Sequence, residues 1–476
     1  MNEKNKHIDQ AKKISELVTN QKNDGISKKT DQIDRIIMHP VFGLFIFAAV
    51  MFIVFILSQT FIGPMIAEYL MILIGWIADL VHNLLNQLNT SEFLTGLIME
   101  GIIGGFAAVI GFLPLIMILF FFLQLLEDSG YMSRVAVVMD RYFRKIGLAG
   151  KSIIPMYVGT ACSIPAIMSS RTIKNEKQRK LTVLLTPFVP CGAKLPVIVL
   201  FITVFFGGSG WMTGLTYFLA ILVILISGHT MKFILNTKKS QRTFDQYHFI
   251  ELPNYGSPSI KRAIKVMFDR ALEFIKRAGT IIILMNGIVW ILSNFNFSFQ
   301  LVDHPDDSML EVISQPLAFL LKPIGIGVWG LAAAAILGFI AKEEVVGALA
   351  IIFAFGITND LSVENVALTK TILMTSGGLT AVSAYAYMTF QLFTPPCFAA
   401  IGAMRVELGS RKLTFLAVLF QLAVGYVIAM IIYQVGTLIF YQKLGEGFIV
   451  SIIIILMIMI AFITVKIKRN QVVAHG

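Results

Sequence analysis

Charge is what this 476-residue sequence has least of. Asp, Glu, Lys and Arg make up 14% of it, against about 25% in a soluble globular protein, which excludes a set of water-facing domains. Cysteine is scarce as well: three residues, none in a CxxC pair, exclude a disulfide scaffold and a zinc ribbon. Lys and Arg are missing altogether from positions 36–133. RNP-type motifs, zinc-finger spacings and basic helices with interleaved aromatics are also absent. The net charge of +11, from 39 Lys+Arg against 28 Asp+Glu, therefore does not mark a nucleic-acid-binding protein.

What fills the space is apolar. Hydrophobic residues reach 56%, mean hydropathy is +0.78, and runs longer than about 18 apolar residues recur to the end of the chain. The expected fold is an all-α polytopic membrane protein whose first partner is the lipid bilayer. The few charges then act as side markers, since Lys and Arg gather on the cytoplasmic side of membrane spans.

Residues 1–39 carry Lys4, Lys6, Lys12, Lys13, Lys22, Lys28, Lys29 and Arg35 against six acidic residues and read as a cytoplasmic lead-in without a signal peptide. The first membrane half, 40–236, crosses outward from Pro40 to about Phe61. It continues as an outer interfacial helix carrying Glu68, Asp79 and His82, and returns from about 97 to Leu126. Basic clusters then flank SIIPMYVGTACSIPAIMSS on both sides. A continuous helix would end on the wrong side for its charges, so Pro155, Gly159 and Pro165 predict a re-entrant hairpin with Cys162 near its tip. A basic loop, 237–276, leads to a second half, 277–440, in which both ends of the segment around Gly338 and Lys342 face acidic loops, predicting a hairpin entering from outside. Residues 441–476 hold a last transmembrane helix and a cytoplasmic tail. The total is about eight transmembrane helices plus two opposed re-entrant hairpins, with both termini cytoplasmic.

The halves echo one another. KIGLAG…VGTACSIP from Lys145 resembles PIGIGV…LGFIAKEE from Pro323, with Gly159 and Gly338 offset by 179 residues; TPFVPC ending at Cys191 resembles FTPPC ending at Cys397, offset by 206. The same order twice with opposite charge flanks predicts an inverted repeat, which places a substrate near the midplane where helices break.

All three cysteines fall at Pro-marked breaks: Cys162 before Pro165, Cys191 after Pro190, Cys397 after Pro395 and Pro396. A single membrane cysteine is more often a small packing residue. Three at three breaks set a metal site beside that reading, and thiolates suit late first-row metals over Mg²⁺ or Ca²⁺. Glu127 and Asp128 close an apolar run at a helix end where the macrodipole disfavours them. Solvated interface carboxylates are the plain alternative. Glu343 and Glu344 sit inside an apolar hairpin where ionisable groups are costly, and Lys342 beside them can neutralise one. Met132, Met168 and Met388 are weaker thioether candidates. GLAGKS at Gly147–Ser152 is not a phosphate loop, because GxxxxGK[ST] needs Gly where Lys145 stands.

LEDSGYMSRVAVVMDR, GLAGKSIIP, CSIPAIMSSRTI, PFVPCGAKLPV, GFIAKEEVVGAL and FTPPC together resemble the membrane portion of the FeoB family of prokaryotic ferrous-iron transporters, over about four-fifths of the chain. The resemblance implies two gate-type repeats and Fe²⁺ import across the cytoplasmic membrane, with Cys162, Cys191 and Cys397 at the family's pore or coordinating cysteines. Fe²⁺ would be cargo, with no permanently bound cofactor. Ser163, Gly192, Lys194 and Glu344 depart from the family's usual Asn, Ser, Arg and Val, which bears on metal preference.

The expected function is divalent transition-metal transport, most strongly Fe²⁺, through a path lined by the three cysteines, with Glu127, Asp128 and Glu343 attracting or handing on the ion. Mn²⁺ or another divalent metal is the runner-up. A non-transporting regulator or scaffold of a complete transporter is the alternative of a different class, and nucleoside transport by a related gate fold has less support. The family's amino-terminal GTPase domain is expected to be absent, which makes the protein a transporter and not an enzyme. A separate GTPase, an FeoA-like small protein, or further copies of the chain are then the expected partners.

Overall fold

The computed structural model describes residues 28–39, 42–88, 90–143, 147–235, 255–298, 300–302, 308–340, 342, 344–353, 363–453 and 456. Among them there is no β-strand, only an isolated antiparallel bridge between Phe295 and Leu301.

An amphipathic helix α1 (Lys28–Ile37) precedes α2 (Phe42–Gln87) and α3 (Phe93–Asp128), each interrupted by a π turn, at Leu57–Ile62 and Leu97–Ile103. Next come α4 (Tyr131–Phe143), the short pair α5 (Ile153–Ala161) and α6 (Ser163–Ser169), then α7 (Glu176–Leu185), α8 (Leu195–Phe206) and α9 (Gly210–Leu235). The second half holds α10 (Ile260–Phe274) and α11 (Thr280–Asn294), joined by a π turn at Ile275–Gly279. It continues with α12 (Met309–Leu321), α13 (Trp329–Ile340), α14 (Glu344–Ile352), α15 (Val363–Thr375), α16 (Ala381–Phe393), α17 (Phe398–Leu408) and α18 (Arg411–Tyr441).

Among the described residues five helical stretches are long and apolar enough to cross a bilayer. A sixth is added if Met309–Ile324 and Trp329–Ile340, bent by 99°, count as one. The count of about eight from the sequence is therefore not reproduced. The expected last span lies largely outside the described residues, as do most of the lead-in and much of the basic loop. The expected break near Phe61 is also missing. Helix α2 continues for 46 residues, about 69 Å at 1.5 Å per residue and more than twice the roughly 30 Å hydrocarbon core. Pro64 falls just after the π turn, which accommodates its missing N–H and bulky ring without ending the helix.

Helix α3 lies antiparallel to the α10–α11 helix along its whole length. Asp128 meets Arg262, the Phe120 ring meets Arg270, and Trp290 Nε1 donates to Glu100 Oε2 at 2.7 Å. Small residues make the contact close: a Cβ at Gly105 would come 3.1 Å from the Ile283 Cα, and one at Gly101 3.5 Å from the Gly287 Cα. Such a stripe is how helices associate where lipid tails remove the hydrophobic drive.

The largest core cluster runs through both halves, from Phe188 and Phe201 to Leu331, Tyr387 and Phe393. Helix α13 is buried almost all round, with Ala332 to Ala335 at 1% exposure or less. Methyl-sized side chains let other helices approach it from every side. The outer faces of α2 and α18 are apolar and open, Trp76 being 65% and Phe440 76% exposed, as expected of surfaces that face lipid tails.

Candidate functional site

Four breaks in the helices converge. The first is at Cys162, an extended residue (φ −150°, ψ 132°) between α5 and α6, whose two arms pack on one another. The second is Val189–Cys191 between α7 and α8, where Pro187 and Pro190 stop the helix and Lys194 restarts it. The third is the turn at Lys342 between α13 and α14, and the fourth is Thr394–Cys397 between α16 and α17, where two prolines deny the helix its donors. In each case where a cysteine is present it caps the following helical turn from its N-terminal side, where the peptide dipoles favour negative charge.

The breaks enclose a cavity of about 70 Å³ lined by Gln59, Cys162, Cys191, Lys194, Lys342 and Cys397. The three cysteines predicted at separate breaks are thus brought to one chamber, as thiols and not as a disulfide. They do not form a closed ligand set: among the described residues no group of three or more His, Cys, Asp or Glu side chains stands ready to hold a metal.

Two buried lysines hold the broken backbone. Lys194 Nζ donates to the carbonyls of Pro187 (2.9 Å) and Leu392 (2.6 Å), and Lys342 Nζ donates to Thr394 Oγ1 at 3.0 Å; both residues are 2% exposed. Pro187 and Leu392 stand where helices break and lose intrahelical partners, so the Lys194 ammonium supplies donors that water would give outside a membrane, whereas Lys342 bonds a side-chain hydroxyl at the fourth break. The Lys194–Leu392 bond also ties the start of α8 to the end of α16, beside the ring contact of Phe188 with Phe393.

Gln59 was not anticipated. It sits in the π turn of α2, where Ser58 Oγ donates to the Leu115 carbonyl (3.0 Å) and Gln59 Nε2 donates to Ser58 Oγ (3.3 Å), leaving Gln59 Oε1 over Gly192. The signal available in the sequence was a Ser–Gln pair inside an otherwise apolar run.

Two of the predicted carboxylates lie elsewhere. Glu127 is exposed, and Asp128 accepts from Gln124 Nε2 at 2.9 Å and from Arg262 at 3.3 Å. Asp128 is 12 residues along α3 from Ile116, which lines the chamber, a separation of about 18 Å. Glu343 lies outside the described residues. Met132 and Met388 are buried in apolar packing, while Met168 lines a second, smaller cavity.

At the same basic end, Arg134, 1% exposed, pairs with Asp34 of α1 at 2.6 Å and stacks on the Tyr255 ring at 3.6 Å; the Tyr255 hydroxyl donates to the same carboxylate at 2.6 Å. Burial pushes the Asp34 carboxyl up, but the hydrogen bonds from Arg134 and Tyr255 outweigh it and hold the group below its ordinary value.

A protein of *Helicobacter pylori* named Fe(2+) transporter FeoB is 32% identical over 465 residues, covering 90% of this chain and 70% of that protein. The chain belongs to the FeoB family. A FeoB of *Staphylococcus aureus* strain MSSA476, also named Fe(2+) transporter, is 37% identical over 420 residues, 86% of this chain and 59% of its own length. This FeoB-family chain thus spans about three-fifths of that relative. A *Porphyromonas gingivalis* protein named as a fusion of Fe(2+) transport protein A and Fe(2+) transporter FeoB is 31% identical over 452 residues, 86% of this chain and 52% of that protein. A family model described as "Gate: Nucleoside recognition" matches residues 109–205 and 275–411, the two segments that contain all four breaks. No solved structure matches the chain.

Proposed function

We propose that this protein imports Fe²⁺ across the cytoplasmic membrane through the chamber between its two gate repeats, with Cys162, Cys191 and Cys397 as successive soft contacts. The observation that carries the reading is that every cysteine of the chain lines one cavity. Thiolates suit Fe²⁺ better than Mn²⁺ or Mg²⁺. The open arrangement also suits cargo, because a conducted ion must bind well enough to enter and weakly enough to leave.

Size separates the ion from the nucleoside of the family model's description. About 70 Å³ holds roughly five waters at about 10–15 Å³ of such space each, whereas pockets for drug-sized ligands run to about 300–1,000 Å³. A partly hydrated metal fits.

The pair α5–α6 and the pair α13–α14 act as opposed re-entrant hairpins, with the end carrying Arg134, Asp128 and Arg262 facing the cytoplasm. Glu127, Asp128 and Glu343 attract the ion or hand it on. Import needs no hydrolysis by this chain: two charges moving down about 100 mV release about 4.6 kcal/mol, enough for a gradient of about 10³-fold. An FeoA-like small protein is the expected cytoplasmic partner, a reading favoured by the fused relative.

Proteoliposomes containing only this protein test the proposal. Fe²⁺ uptake should appear under an inside-negative potential, fall at least tenfold in Cys191→Ser, and be inhibited by Zn²⁺ or Co²⁺ more than by Mn²⁺. Absence of uptake at every imposed potential overturns it, and uptake unchanged in the triple Cys→Ser variant removes the thiols from the path.

A further inference from the structure

The chamber has a second, smaller cavity at its border. This one, about 20 Å³, is lined by Phe120, Pro165, Met168, Arg270 and Glu273, and it shares Ile116, Ile164 and Phe274 with the chamber wall. Three apolar side chains from three elements, α3, α6 and α10, therefore stand between the two spaces. About 20 Å³ accommodates a single water or a bare ion.

Beyond the partition the chemistry changes. Met168, 7% exposed, brings a thioether, and Glu273 brings a carboxylate that Arg270 holds at 3.3 Å. Arg270 and Glu273 are 41% and 28% exposed, so this cavity borders the surface. Its position along the helix is fixed by the antiparallel pairing: Arg270 lies over Phe120, eight residues from the Arg262–Asp128 pair at the basic end, about 12 Å along the helix axis. The next turn, Ile275–Gly279, is π-helical. A π turn carries one extra residue, and removing or migrating it rotates the side chains that precede it, Phe274 among them.

From this arrangement we infer that the chamber empties to the cytoplasm through a collar of Ile116, Ile164 and Phe274 into an exit site where the Met168 thioether and the Glu273 carboxylate receive a divalent transition metal. The inference rests on the transport reading above and adds its exit and its gate. Closed, the collar presents only hydrocarbon to a hydrated ion. Open, it passes the ion from thiols to a mixed sulfur–oxygen pair, which binds a borderline metal more weakly than thiolates do and so favours release. Arg270 neutralises Glu273 while no ion is present, and the arriving cation competes with it for the carboxylate.

Thiol labelling in sealed vesicles of known orientation, read by mass spectrometry, tests the route without depending on transport. Ag⁺, a bare thiol-binding ion small enough for the smaller cavity, added from the cytoplasmic side should block Cys191 slowly in the unaltered protein, read as the thiol that escapes later alkylation. In Phe274→Ala, and in the milder Ile116→Ala, the rate should rise at least tenfold. Unchanged rates in both variants overturn the collar. The metal half is read separately, as protection of the cysteines by Fe²⁺ under anaerobic conditions and as uptake. Met168→Leu combined with Glu273→Gln should lower uptake about tenfold while leaving protection of Cys191 intact. Uptake equal to that of the unaltered protein overturns the exit site alone, whereas loss of both protection and uptake in the unaltered protein overturns the transport reading with it.

Discussion

Lys194 Nζ lies 2.6 Å from the carbonyl oxygen of Leu392, a contact between residues 198 apart that joins the break before α8 to the break after α16. A buried ammonium in this position is a backbone donor in side-chain form. It satisfies two carbonyls that helix termination leaves without partners.

Replacing Lys194 with Met, which keeps the length and removes the donors, should therefore destabilise the protein. Each buried acceptor left unsatisfied costs about 1–3 kcal/mol, offset in part by relief of the buried charge. A net loss of about 2 kcal/mol, seen as a lower Tm in detergent, is the expected outcome; a Tm at or above that of the unaltered protein contradicts it.

Gly338 should tolerate no side chain. A Cβ there would stand 2.7 Å from Val345 Cγ2 and 2.9 Å from Gln391 Oε1, pressing the two arms of the second hairpin apart. Gly338→Ala is expected to cost about 1–3 kcal/mol. Gly75→Ala, with nothing within 4 Å, should be neutral or slightly stabilising because it lies inside α2. Equal melting temperatures for the two variants would show that the hairpin is looser than described.

The Asp34–Arg134–Tyr255 cluster predicts a pH profile. Asp34 is depressed in the folded protein, so its contribution is complete above the unfolded value of about 4 and is lost as pH falls through the folded one. Tyr255 is pushed up to about 12, by burial first and then by its bond to Asp34. Its contribution is complete below about 10 and is lost as pH rises from there toward 12. The cluster should therefore be intact at neutral pH. Ultraviolet titration of the phenolate, compared between the unaltered protein and Tyr255→Phe, should show one tyrosine ionising well above 10; ionisation near 10 would refute the assignment.

Gln59 should influence which metal passes. Its carboxamide oxygen is a hard donor in a chamber of soft ones, so Gln59→Leu is expected to shift competition toward Zn²⁺ and away from Fe²⁺ by several-fold, without changing the melting temperature by more than a degree or two. Identical competition curves would leave Gln59 as packing only.

How much of this was legible in the sequence depends on the range of the physics. The apolar composition and the helix breaks beside Pro190 and Pro395 are local properties, and each appears where expected; the first break falls at Cys162, with Pro165 inside the first turn of α6. The expected end of the first span near Phe61 does not appear, because the side-marking charges say nothing about helix continuity and a π turn carries α2 past that point. Glu127 and Asp128 were singled out for an unfavourable helix end, yet Asp128 is held by Gln124 and Arg262, the latter 134 residues away.

The sequence by itself determined that this chain is a membrane protein with cysteines at its helix breaks, because hydrophobicity and proline act on the nearest few residues. Only the tertiary structure decided that Cys162, Cys191 and Cys397 share one cavity, that Lys194 and Lys342 hold its walls, and that Gln59 reaches it from the first long helix. Those facts depend on which breaks meet in space. That meeting is fixed by long-range packing, through the buried alanine face of α13 and the glycine row of α3, whose partners no window of neighbouring residues contains.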